Sequence, residues 1–195
     1  MKRLFDILMA GCGLLLLAPL LVLLAVWIKV NSPGPVFYRG PRAGKGGRPF
    51  RILKFRTMVT NADKIGGPST SADDPRITST GHFLRRYKLD ELPQLWNVLI
   101  GEMSFVGPRP EVMAEVERYT DEERRLLSVR PGITDWASIR FRNEADILKG
   151  AADPHAAYHQ LIRPEKVRLG LEYVDHHDLA TDLKIIFRTL KVVFE

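Results

Sequence analysis

The chain has 195 residues, 45% of them apolar and 27% charged, with a formal net charge of +6. These proportions exclude a collagen-like, disulfide-dense or wholly disordered chain and suit one globular domain with an appendage. The charge is unevenly placed: residues 7–28 carry none, whereas residues 29–62 hold no acid and eight bases, Lys29, Arg39, Arg42, Lys45, Arg48, Arg51, Lys54 and Arg56. Residues 1–6 add +1 and residues 63–195 sum to −3. A basic excess this local argues against nucleic acid as a partner and for an anionic surface beside the apolar segment. The single cysteine, Cys12, lies in that segment, so no internal disulfide can form, which agrees with a reducing compartment.

Ile7 to Ile28 gives 22 residues without a charge. At about 1.5 Å per residue they could cross a hydrocarbon core of roughly 30 Å. A cleaved signal peptide is the first rival, given Lys2 and Arg3. The run exceeds a usual apolar region of about 7–15 residues, however, and Trp27-Ile28-Lys29-Val30-Asn31 offers no small-x-small cleavage site. Pro19, near the middle, has no N–H to donate and is predicted to break or kink the helix. Because both flanks are basic, a single crossing would place one of them on the outer face. A helix that breaks at Pro19 and re-emerges on its entry side keeps both in the cytoplasm. Composition leaves both arrangements open.

Asn31-Ser32-Pro33-Gly34-Pro35 is a turn-rich exit, and Val36–Arg39 and Phe50–Phe55 read as two short strands. The glycine-rich loop between them, residues 40–49, lacks the Gly-Lys-Ser/Thr ending of a phosphate loop, and its bases suit anionic headgroups. Residues 59–81 are polar and irregular, with residues 66–71 read as a mobile loop. Helical pattern resumes near Phe83 and over Glu91–Ile100. Two proline-glycine loops follow, Val106–Pro110 and Arg130–Thr134, around short helices at Glu111–Tyr119 and Asp121–Leu127. In Leu179–Phe194 the bases Lys184, Arg188 and Lys191 recur at helical spacing, opposite Leu183, Ile186, Phe187, Leu190 and Phe194. That amphipathic helix either lies in a membrane interface or docks on the domain core.

The strongest chemical constellation is Lys88-Leu89-Asp90-Glu91-Leu92-Pro93-Gln94-Leu95-Trp96-Asn97. Taken alone, Asp90 can be a helix N-cap, Glu91 a first-turn acid, and Pro93 a tolerated first-turn proline. Adjacent carboxylates at a helix start can also face one reacting phosphate, one attacking phosphorus while the other positions a metal or moves a proton. Against a polyanion they would need a divalent metal and several cationic side chains, and Arg85, Arg86, Arg109 and Arg142 are candidates. His82, His155, His159, His176 and His177 show no zinc-ligand spacing. Trp27 and Tyr38 suit interface anchors; Trp96 and Trp136 are read as core.

The segment RYKLDELPQLWNVLIGEMSFVGPRP, preceded by KRLFD, KFRTM and DDPRITSTGHFLRR and followed by RPGITDWAS, resembles the bacterial sugar transferase family from Lys2 to Lys184. Members are monotopic polyprenyl-phosphate phosphoglycosyltransferases. The resemblance implies an α+β, mostly helical fold. Residues 1–30 would form a re-entrant membrane helix broken at Pro19. Residues 31–195 would form a small β-hairpin and a compact cytoplasmic catalytic domain with interfacial amphipathic helices, at the inner membrane. It implies transfer of a sugar-1-phosphate from a UDP-sugar to undecaprenyl phosphate with release of UMP, initiating a lipid-linked glycan for exopolysaccharide, O-antigen, capsule or glycoprotein. Asp90 would be the nucleophile, carrying a covalent phospho-sugar, and the protein ligand of Mg2+. Glu91 would deprotonate or position the lipid phosphate. Arg85, Arg109 and Arg142 would clamp anions, Lys54 matches the hairpin lysine, and Asp182 matches a late aspartate that is either an ion-pair partner supporting the site or a solvated residue.

Two departures stand out. Ala18-Pro19 replaces a Ser-Pro, removing a hydroxyl that could satisfy a freed carbonyl, and Asp135-Trp136-Ala137-Ser138 replaces Gly-Trp-Ala-Gln, so the sugar is not read from the sequence. A homodimer is compatible with these features and not required by them. The competing class is a non-catalytic membrane scaffold, which needs neither the Asp-Glu pair nor proline-held arginines.

Overall fold

The computed structural model describes residues 1–67 and 69–194. Pro68 of the predicted loop and the side chain of Phe194 lie outside the described residues. In chain order the elements are α1 (Lys2–Asn31), β1 (Phe37–Ala43), β2 (Pro49–Phe55), α2 (Ala62–Ile65), α3 (Ser79–Arg86), α4 (Gln94–Ile100), β3 (Ser104–Val106), α5 (Met113–Val116) and α6 (Asp121–Arg124). There follow β4 (Gly132–Thr134), α7 (Trp136–Arg140), α8 (Glu144–Ile147), α9 (Pro154–Leu161), α10 (Arg163–His176) and α11 (Leu179–Phe194). Short 3-10 turns occupy Lys45–Gly47, Leu89–Glu91 and Arg125–Ser128. The fold is mostly helical with two small two-stranded sheets.

The hairpin is longer than its apolar run suggests. β1 and β2 pair antiparallel from Phe37–Phe55 to Ala43–Pro49, so Gly40 and Pro41, expected in a loop, are strand residues. A two-stranded sheet is all edge, and an edge tolerates the N–H that proline lacks. β3 and β4 pair in parallel; β3 ends at Val106, where the first segment read as a proline-glycine loop begins, and β4 lies inside the second. Glycine makes that pairing possible: a Cβ on Gly132 would meet the backbone of Gly107, and one on Gly107 the carbonyl of Arg130.

α1 is long and apolar enough to cross a membrane. It forms one uninterrupted helix, so the expected break at Pro19 is not a break in the helical path. Proline removes one hydrogen bond, to the Leu15 carbonyl, and the flanking turns carry the helix across. One stripe of α1 faces the body. Ala10 packs with Phe50, Ile52, Val98 and Met103, Gly13 faces Leu95, and Leu24 and Ile28 pack with Phe55 and Leu84. These positions are three to four residues apart or simple multiples of that spacing, the repeat of a single helix face. The opposite side exposes Leu8, Leu15, Leu16, Val22, Leu23, Val26 and Val30.

Both ends of α1 are fastened to the same body. Lys2 Nζ donates to the Val106 carbonyl at 3.1 Å and pairs with Asp182 Oδ2 at 2.5 Å. Arg3 donates to the carbonyls of Val98 and Leu99, at 2.5 and 2.8 Å. Asp6, buried, accepts from Ser104 Oγ and the Phe105 N–H. At the far end Arg56 donates to the carbonyls of Ser32 and Pro33, and Ser79 Oγ donates to Asn31 Oδ1 at 3.0 Å.

α11 has the predicted bounds and docks on the core. Asp182 and Ile185 are buried, and the Thr134 and Thr189 hydroxyls are 2.7 Å apart. Lys184 and Arg188 lie over the Trp136 ring, so those bases of the stripe point to the body's edge, while Leu183, Phe187 and Leu190 stay exposed. Trp136 is partly buried in this cluster. Trp96, expected in the core, is 50% exposed, because α4 buries Gln94, Leu95, Asn97 and Val98 on its other side.

Candidate active site

The Asp-Glu pair sits in a tight corner between α3 and α4. Lys88 turns the chain with a left-handed backbone, φ 55°, a conformation that costs a side-chain-bearing residue on the order of 1 kcal/mol. The 3-10 turn Leu89–Glu91 follows, and α4 begins only after Pro93. Asp90 therefore caps no helix, which removes the structural explanation for its place in the motif.

Glu91 is fully engaged. Lys54 Nζ, from β2, donates to Glu91 Oε1 at 2.9 Å. Arg109 reaches both carboxylate oxygens, Oε2 at 3.2 Å and Oε1 more closely, in the fork geometry that suits a guanidinium. Burial acts to raise the Glu91 carboxyl, but Arg109 and Lys54 together outweigh it and hold the group well below the usual carboxylate range. Burial likewise lowers the Lys54 ammonium, which Glu91 opposes, while Glu91 raises Arg109.

Asp90 differs. It is 7% exposed and has no hydrogen bond or ion pair among the described residues. Burial pushes its carboxyl up, Lys54 pulls it down, and Glu91 pushes it up again. A buried carboxylate without an ion-pair partner is a fitting single protein ligand for Mg2+, which is held by one or two carboxylates and the phosphates of its substrate.

The structure thus brings Lys54, Asp90, Glu91 and Arg109 together. Arg85 joins them from α3: its Nε donates to Thr57 Oγ1 at 2.8 Å, and the field of Asp90 acts on it. Arg142 is not brought in. It lies exposed on the turn after α7 and makes no hydrogen bond or ion pair with the pair among the described residues. Asp182 is a buried partner of Lys2 and of Tyr173 Oη, 2.7 Å away, and supports the start of α1 rather than contacting the carboxylate pair.

Three supporting features escaped the sequence reading. Asn97 accepts from the Leu53 N–H at 2.9 Å and donates to the Arg51 carbonyl and to Glu102 Oε2, tying α4 to β2 so that Lys54 meets Glu91. The buried Asp74–Arg76 pair, 2.7 Å apart, sits behind Arg85. Gln94 is completely buried with neither amide atom hydrogen-bonded; its signal was a polar residue on the apolar face of α4.

A sequence model of the bacterial sugar transferases matches residues 1–195. The chain is 41% identical over 199 residues to the UDP-glucose:undecaprenyl-phosphate glucose-1-phosphate transferase of Escherichia coli (strain K12), covering 97% of this chain and 39% of that protein. It is 37% identical to the UDP-N-acetylgalactosamine-undecaprenyl-phosphate N-acetylgalactosaminephosphotransferase of Aeromonas hydrophila, covering 98% of this chain and 43% of that protein. A UDP-glucose:undecaprenyl-phosphate glucose-1-phosphate transferase of Caulobacter vibrioides is 39% identical, with 97% of this chain and 68% of that protein covered. The chain thus spans about two-fifths of the length of the first two relatives. A match over the full chain, on top of this corner of two carboxylates and three bases, assigns the protein to the bacterial sugar transferase family.

Proposed function

We propose that this chain transfers a sugar-1-phosphate from a UDP-sugar to undecaprenyl phosphate at the cytoplasmic face of a bacterial inner membrane. The observation that carries the reading is the asymmetry of the carboxylate pair: Glu91 is tied by Lys54 and Arg109, and Asp90 is left without a partner. An Asp90 oxygen attacks the sugar-bearing phosphorus of the donor. A phosphorus–oxygen bond to Asp90 forms as the bond to the bridging oxygen breaks, and UMP leaves with that electron pair. An oxygen of undecaprenyl phosphate then attacks the same phosphorus, and the bond to Asp90 breaks.

A carboxyl held as low as that of Glu91 is a poor proton acceptor, so Glu91 acts by holding Lys54 and Arg109 toward the phosphates. Arg85, fixed by Thr57, supplies the third cation. Bound Mg2+ would neutralise charge on the diphosphate at Asp90. The membrane reading is supported by α1: with both ends fastened to one body, a helix that enters and leaves on the same side fits better than a crossing, and the missing Pro19 hydrogen bond marks where it can bend. The exposed Trp27, Phe83 and Tyr87 ring cluster suits the interface.

The test is UMP release by purified protein with Mg2+, undecaprenyl phosphate and a panel of UDP-sugars, which also identifies the donor. Asp90→Asn is expected to abolish release and to trap no phospho-sugar adduct. Full activity in that variant rules out Asp90 as the nucleophile.

A further inference from the structure

Away from the carboxylate pair, α9 carries His155 and His159 one turn apart, and Glu115 of α5 faces them both. His155 Nε2 lies 3.6 Å from Glu115 Oε1, and His159 Nε2 lies 3.5 Å from Glu115 Oε2. The three ligand atoms all fall within 4.8 Å of one another. Two donors bound at about 2.0–2.2 Å to one tetrahedral ion stand roughly 3.4 Å apart; the His159 Nε2–Glu115 Oε2 separation matches such an edge, and His155 Nε2 faces the other oxygen of the same carboxylate. We infer that Glu115, His155 and His159 form a binding site for a zinc-class divalent ion, with a fourth position open to water.

Independent features point to a ligand there. Glu115 is 7% exposed, and its Oε2 and the His159 Nε2 are buried without a hydrogen-bond partner. Leaving such atoms unpaired is costly, and an ion between them would satisfy both. Arg118, 3.8 Å from Oε1, has a side chain 67% exposed that can swing clear, and Arg163, which also feels the Glu115 charge, is paired with Glu123 at 2.8 Å. The His155 ring is already oriented, with its Nδ1 3.1 Å from Ser69 Oγ. In the tautomer whose Nδ1–H donates to Ser69 Oγ, Nε2 is free for a metal, the arrangement usual for ligating histidines.

The scaffold around the cluster is built for it. Asp153 caps α9 by accepting from the N–H groups of His155 and Ala156, and helical geometry puts residues four apart on one face. Tyr158 Oη donates to Glu111 Oε1 at 3.0 Å, anchoring α9 to the segment that follows Arg109. A bound ion would lock α9 to α5 and so brace the loop holding that arginine. Two imidazoles and a carboxylate suit zinc, and cobalt, nickel and copper compete for such a set, whereas Mg2+ prefers oxygen ligands.

The experiment is a Co2+ titration of the metal-stripped full chain in detergent, without Mg2+, followed by Zn2+ competition. One equivalent per chain with the visible absorption of tetrahedral Co2+, displaced by Zn2+, is expected. His155→Gln and His159→Gln should each weaken binding at least tenfold, whereas Asp90→Asn and His177→Gln should leave it unchanged. Glu115→Gln is the sharpest variant, but its burial can compromise folding. His155 is one-third exposed, so His155→Gln with an unaltered melting curve in EDTA keeps the test decisive. Absence of the tetrahedral band, wild-type binding in both histidine variants, or its loss in Asp90→Asn overturns the site.

Discussion

Burial raises the Asp90 carboxyl above the ordinary aspartate range against the pull of Lys54. A native pKa above the unfolded one means that the folded chain binds more protons between the two values, so stability falls as pH rises through that window. The cost is absent below the unfolded value and grows as pH rises from there toward the folded one. Asp90→Asn removes it, so in EDTA the variant should melt higher than the parent at pH 7, with an advantage that shrinks on acidification toward the ordinary aspartate range. An advantage independent of pH would show that the ionised carboxylate is not the source. Glu91 has the opposite sign, because Arg109 and Lys54 overcome its burial and depress its pKa. Its contribution is present at pH 7 and is lost only as pH falls below the usual glutamate range. Glu91→Gln should therefore lower stability at pH 7. We expect about 2–3 kcal/mol, under the figure for a fully buried pair because Arg109 keeps a third of its side chain exposed. Thermal melts of the two variants at pH 7 should move in opposite directions. Movement in the same direction would remove the assigned asymmetry.

Between elements, the site depends on how β2, α4 and the β3–β4 pair are held together. Asn97→Ala leaves the Leu53 N–H and the Arg51 carbonyl without their partner, at about 1–3 kcal/mol per buried group, and lets Lys54 drift from Glu91. The variant should melt lower and also release UMP more slowly at saturating substrate, whereas a purely structural role predicts normal turnover by the folded fraction. Legibility in the sequence followed periodicity. α11 was readable end to end because its apolar and basic positions repeat at helical spacing, and α3 was placed by the pattern around Phe83. β3 and β4 were not readable, because three-residue strands beside Val106–Pro110 and inside Arg130–Thr134 look like parts of turns until the close approach of Gly107 and Gly132 is seen. α10 was missed because its partners lie on several elements and its apolar residues form no clean stripe. At the site, adjacency exposed Asp90 and Glu91, while Arg109 was only one of four candidate bases and Lys54 came with the family resemblance: they lie 18 and 37 residues from Glu91. The same obstacle hid the histidines of α9, whose third partner, Glu115, is supplied by α5.

Over the whole molecule, the basic block proves to be divided in its work. Lys54 turns into the site and Arg56 clamps the end of α1, whereas Arg39, Lys45, Arg48 and Arg51 of the hairpin are exposed. The start of α1 is clamped as well, by the Lys2–Asp182 pair and the Tyr173 hydroxyl. A straight helix of 30 residues is about 45 Å long, more than a hydrocarbon core of about 30 Å. If such a helix crossed the bilayer, the contacts of Lys2, Arg3 and Asp6 with the body would have to break, since that body would lie across the membrane. Keeping them requires both ends on one side. In a Cys12→Ser background, a cysteine inserted between Met1 and Lys2 and another at Lys45→Cys should both react with an impermeant maleimide in inside-out vesicles. Neither should react in intact spheroplasts. Asp182→Asn should leave the sidedness unchanged but lower the melting temperature, because Lys2 loses its buried counter-charge. Labelling of the first cysteine from outside and of the second from inside would establish a crossing. The clamps seen at the start of α1 would then not exist in the membrane.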